Sequence, residues 1–235
     1  MAQTIGQVFN ETDLENSTVV TFTKEIVRRR ISDIGVIPAV RVSSEEDALF
    51  AAEALAEGGI PIAEISVTFP GAFRVISHLV NRLPGMLVGA GGVLSADMAR
   101  RSLDEGATFL TTDGFVPDVV EFAAREEVAM IPGALTPTEV LAAWKAGADF
   151  VKVVPCDAMG GHSYIRSLKT ALPQIKLIAA GGVSQRTALD FIKAGASALG
   201  VGRDLIPAET IRSRQAMRIQ ELARRFLSAV DNGRY

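Results

Sequence analysis

Eight short apolar runs, each followed by a segment with helix-start and helix-stop signals, recur along the 235 residues. They occupy residues 35–41, 62–67, 86–90, 109–112, 128–131, 150–154, 176–180 and 198–201. Most are continuous rather than alternating, as expected of strands covered on both faces. Between them lie amphipathic stretches that predict helices over 43–56, 71–82, 95–105, 117–126, 136–146, 163–172, 185–194 and 211–230. Ser43-Ser-Glu-Glu46 reads as a capping box, and Thr136-Pro137 as a helix start with proline in its first turn. A leading helix over 24–32 is expected to be capped by Thr23.

Strand–helix alternation repeated eight times in about 200 residues points to an α/β fold, a (β/α)8 TIM barrel. An open doubly wound sheet fits less well, because no Gly-x-Gly-x-x-Gly opens the first helix. A repeat supports closure. Glu57-Gly58-Gly59, Glu105-Gly106-Ala107, Ala146-Gly147-Ala148 and Ala194-Gly195-Ala196 each end a helix, spaced by two strand–helix units. Glycine there suits a left-handed exit. The expected organisation is an N-terminal arm over 1–23, polar and aperiodic, and one barrel domain over 24–235.

Composition narrows the function classes. The formal net charge is −3, and the basic residues are scattered, which argues against phosphate-neutralising nucleic-acid binding. Arg28-Arg29-Arg30 reads as a solvated helix face. Cys156 is the sole cysteine, and His78 and His162 have no partner at a metal spacing, so neither a disulfide framework nor a metal site is expected. No apolar run is long enough for a membrane span, and the first residues lack a basic and apolar leader pattern. A cytoplasmic setting follows by default.

Barrel active sites sit at the carboxyl ends of the strands, so charges inside strand runs matter. Lys152 lies within Phe150-Val-Lys-Val-Val-Pro155 and shares a strand face with Phe150 and Val154. Burying a lysine as a cation is costly, and the neutral amine is the nucleophile of carbonyl chemistry. Glu64 is the same anomaly within Pro61-Ile-Ala-Glu-Ile-Ser-Val67. The two could be a structural ion pair or a nucleophile with its proton shuttle. In a barrel mouth the second is favoured. Arg41 ends the first strand and could hold a carboxylate or make a rim salt bridge. Gly89-Ala-Gly91-Gly92, Gly181-Gly182 and Gly200-Val-Gly202-Arg203 follow strands, where backbone can approach a ligand closely. The last two lie where many barrels bind phosphate. Trp144 and Cys156 read as packing residues, and His162 as a surface residue near the mouth.

Taken in order, Ile37-Pro-Ala-Val-Arg41, Ala63-Glu-Ile-Ser-Val-Thr68, Gly89-Ala-Gly91, Pro132-Gly-Ala-Leu-Thr-Pro-Thr-Glu139, Val151-Lys-Val-Val-Pro155, Gly181-Gly-Val183 and Gly200-Val-Gly202 each stand at or near a strand end. Together they resemble the class I aldolases acting on 2-keto-3-deoxy-6-phosphogluconate (KDPG) and 4-hydroxy-2-oxoglutarate (KHG), with relatives acting on the galactonate epimer (KDPGal). The resemblance spans about residues 24–230. It implies a barrel that assembles as a homotrimer, needs no metal or cofactor, and cleaves a keto acid to pyruvate and an aldehyde through a covalent Schiff base. The lysine of that chemistry falls on Lys152 and the proton-shuttling glutamate on Glu64. Substrate contacts fall on Arg41, Thr68, Gly91, Gly92, Pro132, Gly181, Gly182, Gly202 and Arg203.

The chain also departs from the pattern. Gly92 stands where many members have threonine, Ala179-Ala180 precede Gly181-Gly182 in place of Pro-Thr, and Val154 replaces an aromatic. Arg203 replaces serine, Thr112-Asp113 stands where Ser-Pro is common, and Thr68 stands where some relatives have arginine. Arg203 is expected to bind phosphate or to pair with Asp113 or Asp204. Two other functions fit the same fold. One is a phosphate-binding isomerase or synthase, in which Lys152 only pairs with Glu64. The other is a non-catalytic barrel that binds a small keto acid.

Overall fold

A computed structural model describes residues 22–234. Of the arm expected over 1–23, residues 1–21 lie outside the described residues. Thr23 caps the first helix, α1 (Lys24–Ile34), its hydroxyl accepting from the Ile26 amide. The chain then lays down β1 (Val36–Val40), α2 (Glu45–Glu57), β2 (Ile62–Ser66), α3 (Ala72–Arg82), β3 (Leu87–Gly91) and α4 (Ala96–Asp104). Next come β4 (Phe109–Thr111), α5 (Pro117–Arg125), β5 (Ala129–Ile131), β6 (Gly133–Ala134), α6 (Pro137–Lys145) and β7 (Val151–Val153). A 3-10 turn (Asp157–Met159) leads to α7 (His162–Ala171), followed by β8 (Leu177–Ala180), α8 (Ala188–Lys193) and β9 (Ala198–Val201). Two helices, α9 (Ala208–Arg212) and α10 (Ala216–Arg234), close the described chain.

All strand pairs are parallel, in the order β5-β4-β3-β2-β1-β9-β8-β7-β6. The two ends of that order are consecutive in the chain, separated only by Pro132. The sheet is therefore a nearly closed TIM-like barrel. Its nine strand segments, against the eight expected, are eight walls with the fifth broken in two. Proline has no N–H for the neighbouring strand, so the ladder is interrupted there. The wall continues nonetheless, because the carbonyls of Met130, Pro132 and Ala134 accept from the amides of Asp149, Lys152 and Val154. The fifth run thus extends to Ala134, past the expected end at Ile131.

The four repeated glycine signals behave as expected. Gly59, Gly106, Gly147 and Gly195 all have φ between 91° and 100° and reverse the chain into β2, β4, β7 and β9. The strands are buried on both faces, every residue of β2 and β3 among them. Phe109, Phe122, Phe150, Phe191 and Phe226 are the largest fully buried side chains. Trp144 packs partly buried against this core.

Three local expectations are corrected. The helix predicted over 211–230 is two helices, split where Arg214 adopts φ 49° and sends its guanidinium to Glu46 and Asp47. The first capping signal works one residue later than expected: Ser44 caps α2 by accepting from the Asp47 amide. The reciprocal capping box occurs instead at Thr136 and Glu139. Finally, Arg28-Arg29-Arg30 is not simply solvated. Arg28 is half-buried against Asp149, and Arg30 donates to the Gly85 carbonyl. Together with Lys24, Arg28 makes α1 a plate over the amino ends of the strands.

Candidate active site

Lysine on an apolar strand is tolerated only where its charge is met or shed. The β7 backbone is fixed on both sides: the Lys152 amide donates to Pro132, and Val151 donates to Lys176. This turns the Lys152 side chain toward the carboxyl ends of the strands, where it is 5% exposed. Its Nζ donates to Asp113 Oδ1 at 2.9 Å and to Thr111 Oγ1 at 3.3 Å, both at the end of β4. Glu64 Oε2, from β2, lies 3.9 Å away, outside hydrogen-bond reach.

Glu64 is 6% exposed, and the room it occupies is made by a missing side chain. A Cβ on Gly91 would stand 2.4 Å from Glu64 Oε1 and 2.5 Å from its Cγ. The β2–β3 register pairs Ser66 with Gly91, so the glycine sits one strand over, directly beside the carboxylate. Gly91 therefore serves the site as space.

A cavity of about 360 Å³ opens above this group, within the range usual for small-molecule sites. Arg41, Glu64, Lys152, Gly181, Gly182, Gly202 and Arg203 line it, with Val154 and Asp204. So seven of the eleven residues expected at the site meet around one space. The others stand just outside it. Gly91 packs under Glu64. Pro132 holds the Lys152 backbone and does not face the cavity. Thr68 is exposed, and its hydroxyl is engaged by Ser66 at 2.8 Å. Gly92 adjoins that pair at φ 72°, with Thr68 Cγ2 3.4 Å from where its Cβ would be.

At the opposite rim, Gly181 and Gly182 take φ of 77° and 93°. A Cβ on Gly182 would come within 2.2 Å of Asp157 Cβ, so glycine is required for the chain to pass the 3-10 turn. Cys156 is buried behind this loop, with Sγ 3.5 Å from the Gly181 carbonyl. Burial, reinforced by the nearby Asp157 charge, pushes its thiol up to about 12, which fits a packing residue rather than a nucleophile. His162 opens α7 half-buried, edge-on to Phe191, rather than on the open surface.

Sequence reasoning missed Asp113 as a site residue. The sequence marks this aspartate as a departure from the family's Ser-Pro at that strand end and as a partner for Arg203. The structure gives it to Lys152 and Arg41 instead: one oxygen, Oδ1, bridges Lys152 Nζ at 2.9 Å and Arg41 at 3.3 Å. Burial pushes the Asp113 carboxyl up, but the charge and hydrogen bond of Lys152, then those of Arg41, outweigh it and hold it below the usual carboxylate range. The signal was present, because a charged residue at the end of a strand is what singled out Arg41. Among the described residues, no group of three metal-ligating side chains is found, and no helix is long and apolar enough to cross a membrane.

The family model described as KDPG and KHG aldolase matches residues 27–222. The chain is 34% identical over 172 residues to a probable 2-dehydro-3-deoxy-6-phosphogalactonate aldolase of Rhizobium meliloti, covering 72% of this chain and 81% of that one. It is 28% identical over 190 residues to the KHG/KDPG aldolase of Escherichia coli, covering 80% and 89%. The fold superposes with a TM-score of 0.78 and 27% identity on the KDPG aldolase of Legionella pneumophila, covering 84% and 96%. In that structure pyruvate was captured as a covalent carbinolamine intermediate. On these grounds the chain belongs to the KDPG and KHG aldolase family and is a class I aldolase, a carbon–carbon lyase whose chemistry runs through a covalent lysine adduct and takes no cofactor.

Proposed function

We propose that this aldolase cleaves a 2-keto-3-deoxy sugar acid, phosphorylated as in KDPG, or 4-hydroxy-2-oxoglutarate, to pyruvate and an aldehyde. Lys152 is the nucleophile and Glu64 the proton shuttle. The observation that carries this reading is a buried amine at the cavity floor with a buried carboxylate 3.9 Å away. An amine and an acid so placed can act on the two sides of one carbonyl carbon.

The neutral Lys152 amine attacks the C2 carbonyl. A C–N bond forms, the carbonyl electron pair goes to oxygen, and the proton that the nitrogen sheds passes to that oxygen, giving the carbinolamine. Glu64 delivers a second proton as water leaves, and the iminium results. Glu64, now a carboxylate, takes the C4 hydroxyl proton. The C3–C4 bond breaks and its electron pair enters the iminium, giving an enamine and releasing the aldehyde. Protonation at C3 and addition of water then return pyruvate and the free amine. Arg41 supplies positive charge for the keto-acid carboxylate. Gly181, Gly182, Gly202 and Arg203 follow β8 and β9, next around the barrel from β1, where backbone N–H groups and one guanidinium suit an anionic tail.

The reading extends to a homotrimer working in the cytoplasm, supported by the family resemblance. The test of the chemistry is direct. Incubation with pyruvate and sodium borohydride, followed by intact mass and peptide mapping, should place a reduced pyruvate adduct on Lys152. Lys152→Ala should form no adduct and lose turnover while keeping its circular dichroism spectrum. An adduct mapped to another lysine, or full activity in the alanine variant, would overturn the assignment.

A further inference from the structure

The mechanism above needs a neutral amine, yet the structure surrounds Lys152 with acceptors. Nζ meets Asp113 at 2.9 Å and Thr111 at 3.3 Å, with Glu64 at 3.9 Å. A carboxylate in hydrogen-bond contact favours the charged form of an amine. The resting site therefore holds its nucleophile against an anion. Two of these partners are built in, since Thr111 is fully buried and Glu64 nearly so. Asp113 differs: its backbone is packed against Gly133, but its side chain is 51% exposed and can turn into solvent. It alone can leave.

What would displace it is the substrate's own chemistry. A 2-oxo acid carries a carboxylate on the carbon next to its carbonyl. When that carbonyl reaches Lys152 Nζ, the substrate carboxylate arrives beside the oxygen that already bridges Lys152 and Arg41. Two anions in contact repel, and one guanidinium suits only one of them well. The other charged groups lining the cavity do not change this: Arg203 and Asp204 follow β9, on the side of β1 away from Asp113 and β4, and Glu64 faces Lys152 from β2.

We propose that Asp113 is a positioning residue acting as an internal stand-in for the substrate carboxylate, one that holds Lys152 as an ammonium until a 2-oxo acid takes its place on Arg41. Displacement removes the counter-ion nearest the ammonium and frees Arg41 in the same event. The proton then leaves through Glu64 or solvent, and the amine becomes nucleophilic where a carbonyl is already waiting. This inference rests on the assignment of Lys152 as the nucleophile.

The test follows adduct formation with pyruvate and sodium cyanoborohydride across a pH series, for the wild-type protein, Asp113→Asn and Asp113→Glu. The asparagine variant should reach half-maximal trapping about one pH unit lower than wild type, the low end of a carboxylate's usual effect on a neighbouring cation. It should also half-saturate at lower pyruvate, because no internal carboxylate competes. The glutamate variant should stay near wild type on both counts. A structural role alone would change yield or stability and leave the pH midpoint in place. An unchanged midpoint, or one that moves up, overturns the inference while leaving the Lys152 assignment standing. Wild-type protein that traps nothing on Lys152 overturns that assignment and the inference with it. Asp113→Ser, which also removes the charge, supplies the same comparison if the asparagine variant does not fold.

Discussion

The two ends of this barrel each carry a charged cluster, and the two are built as opposites. At the amino end a buried acid is surrounded by bases: Asp149 accepts from the Met130 amide at 2.9 Å and meets Lys24 at 3.1 Å and Arg28 at 3.3 Å. At the carboxyl end a buried base is surrounded by acids: Lys152 lies between Asp113 and Glu64. The floor cluster ties α1 to the barrel and uses a backbone donor that cannot move away. The mouth cluster ties together the ends of β2, β4 and β7 entirely through side chains, one of them half in solvent. A charge clamped by backbone can only hold structure, whereas a charge met by side chains can be released, and chemistry needs release. This agrees with the general division of barrels into a stabilising bottom and a reactive top.

Substitutions can break or sharpen that contrast. The largest effect falls on the mouth. Glu64→Gln keeps the shape but cannot shuttle a proton, so turnover should fall about 10²–10⁴-fold with little change in unfolding midpoint. Turnover near wild type in steady-state assays would remove Glu64 from the chemistry. The floor should answer the other way. Asp149→Ala leaves a buried amide without its acceptor and two cations without their acid, and should cost about 1–3 kcal/mol in urea unfolding. Trapping of pyruvate by the protein that remains folded should match wild type. A loss of trapping without a loss of stability would mean that the two ends are coupled.

The smallest effect concerns Asp113, whose carboxyl is held low by Lys152 and Arg41 despite its partial burial. A group with a lowered folded value stabilises the fold above its unfolded value, near 4, and that share is lost as pH falls through the folded value. Urea midpoints of wild type and Asp113→Asn should therefore converge as the solution is acidified below that range. A gap that persists in acid would show that the aspartate works by packing and not by charge.

Much of this was legible in the chain. Lys152 and Glu64 declared themselves because a charge inside a strand-length apolar run has few destinations, and the barrel's strand ends are one of them. The helix exits were equally plain, since four glycines in the same relative place all required the left-handed region. What escaped depends on relations around the barrel. Asp113 and Lys152 are 39 residues apart and stand on walls separated by the broken fifth strand, so only closure brings them together. Thr68, expected to face a ligand, stands exposed with its hydroxyl also hydrogen-bonded to Ser66 two residues away, a local contact that strand periodicity does not reveal. The break at Pro132 carried a signal in the proline itself. That the wall would resume beyond it was set by the carbonyls that β7 needs.

The empty place at Gly91 has an evolutionary corollary. Positions 64 and 91 share one volume: the acid fits because its neighbour has no side chain. Variation at the two sites cannot be independent. A descendant that gave up the glutamate would lose the pressure to keep glycine at 91, and a side chain arriving there first would evict the acid. The pair should therefore drift as a single character, and a chain of this lineage with anything larger than glycine at 91 should be found to have already abandoned the carboxylate at 64.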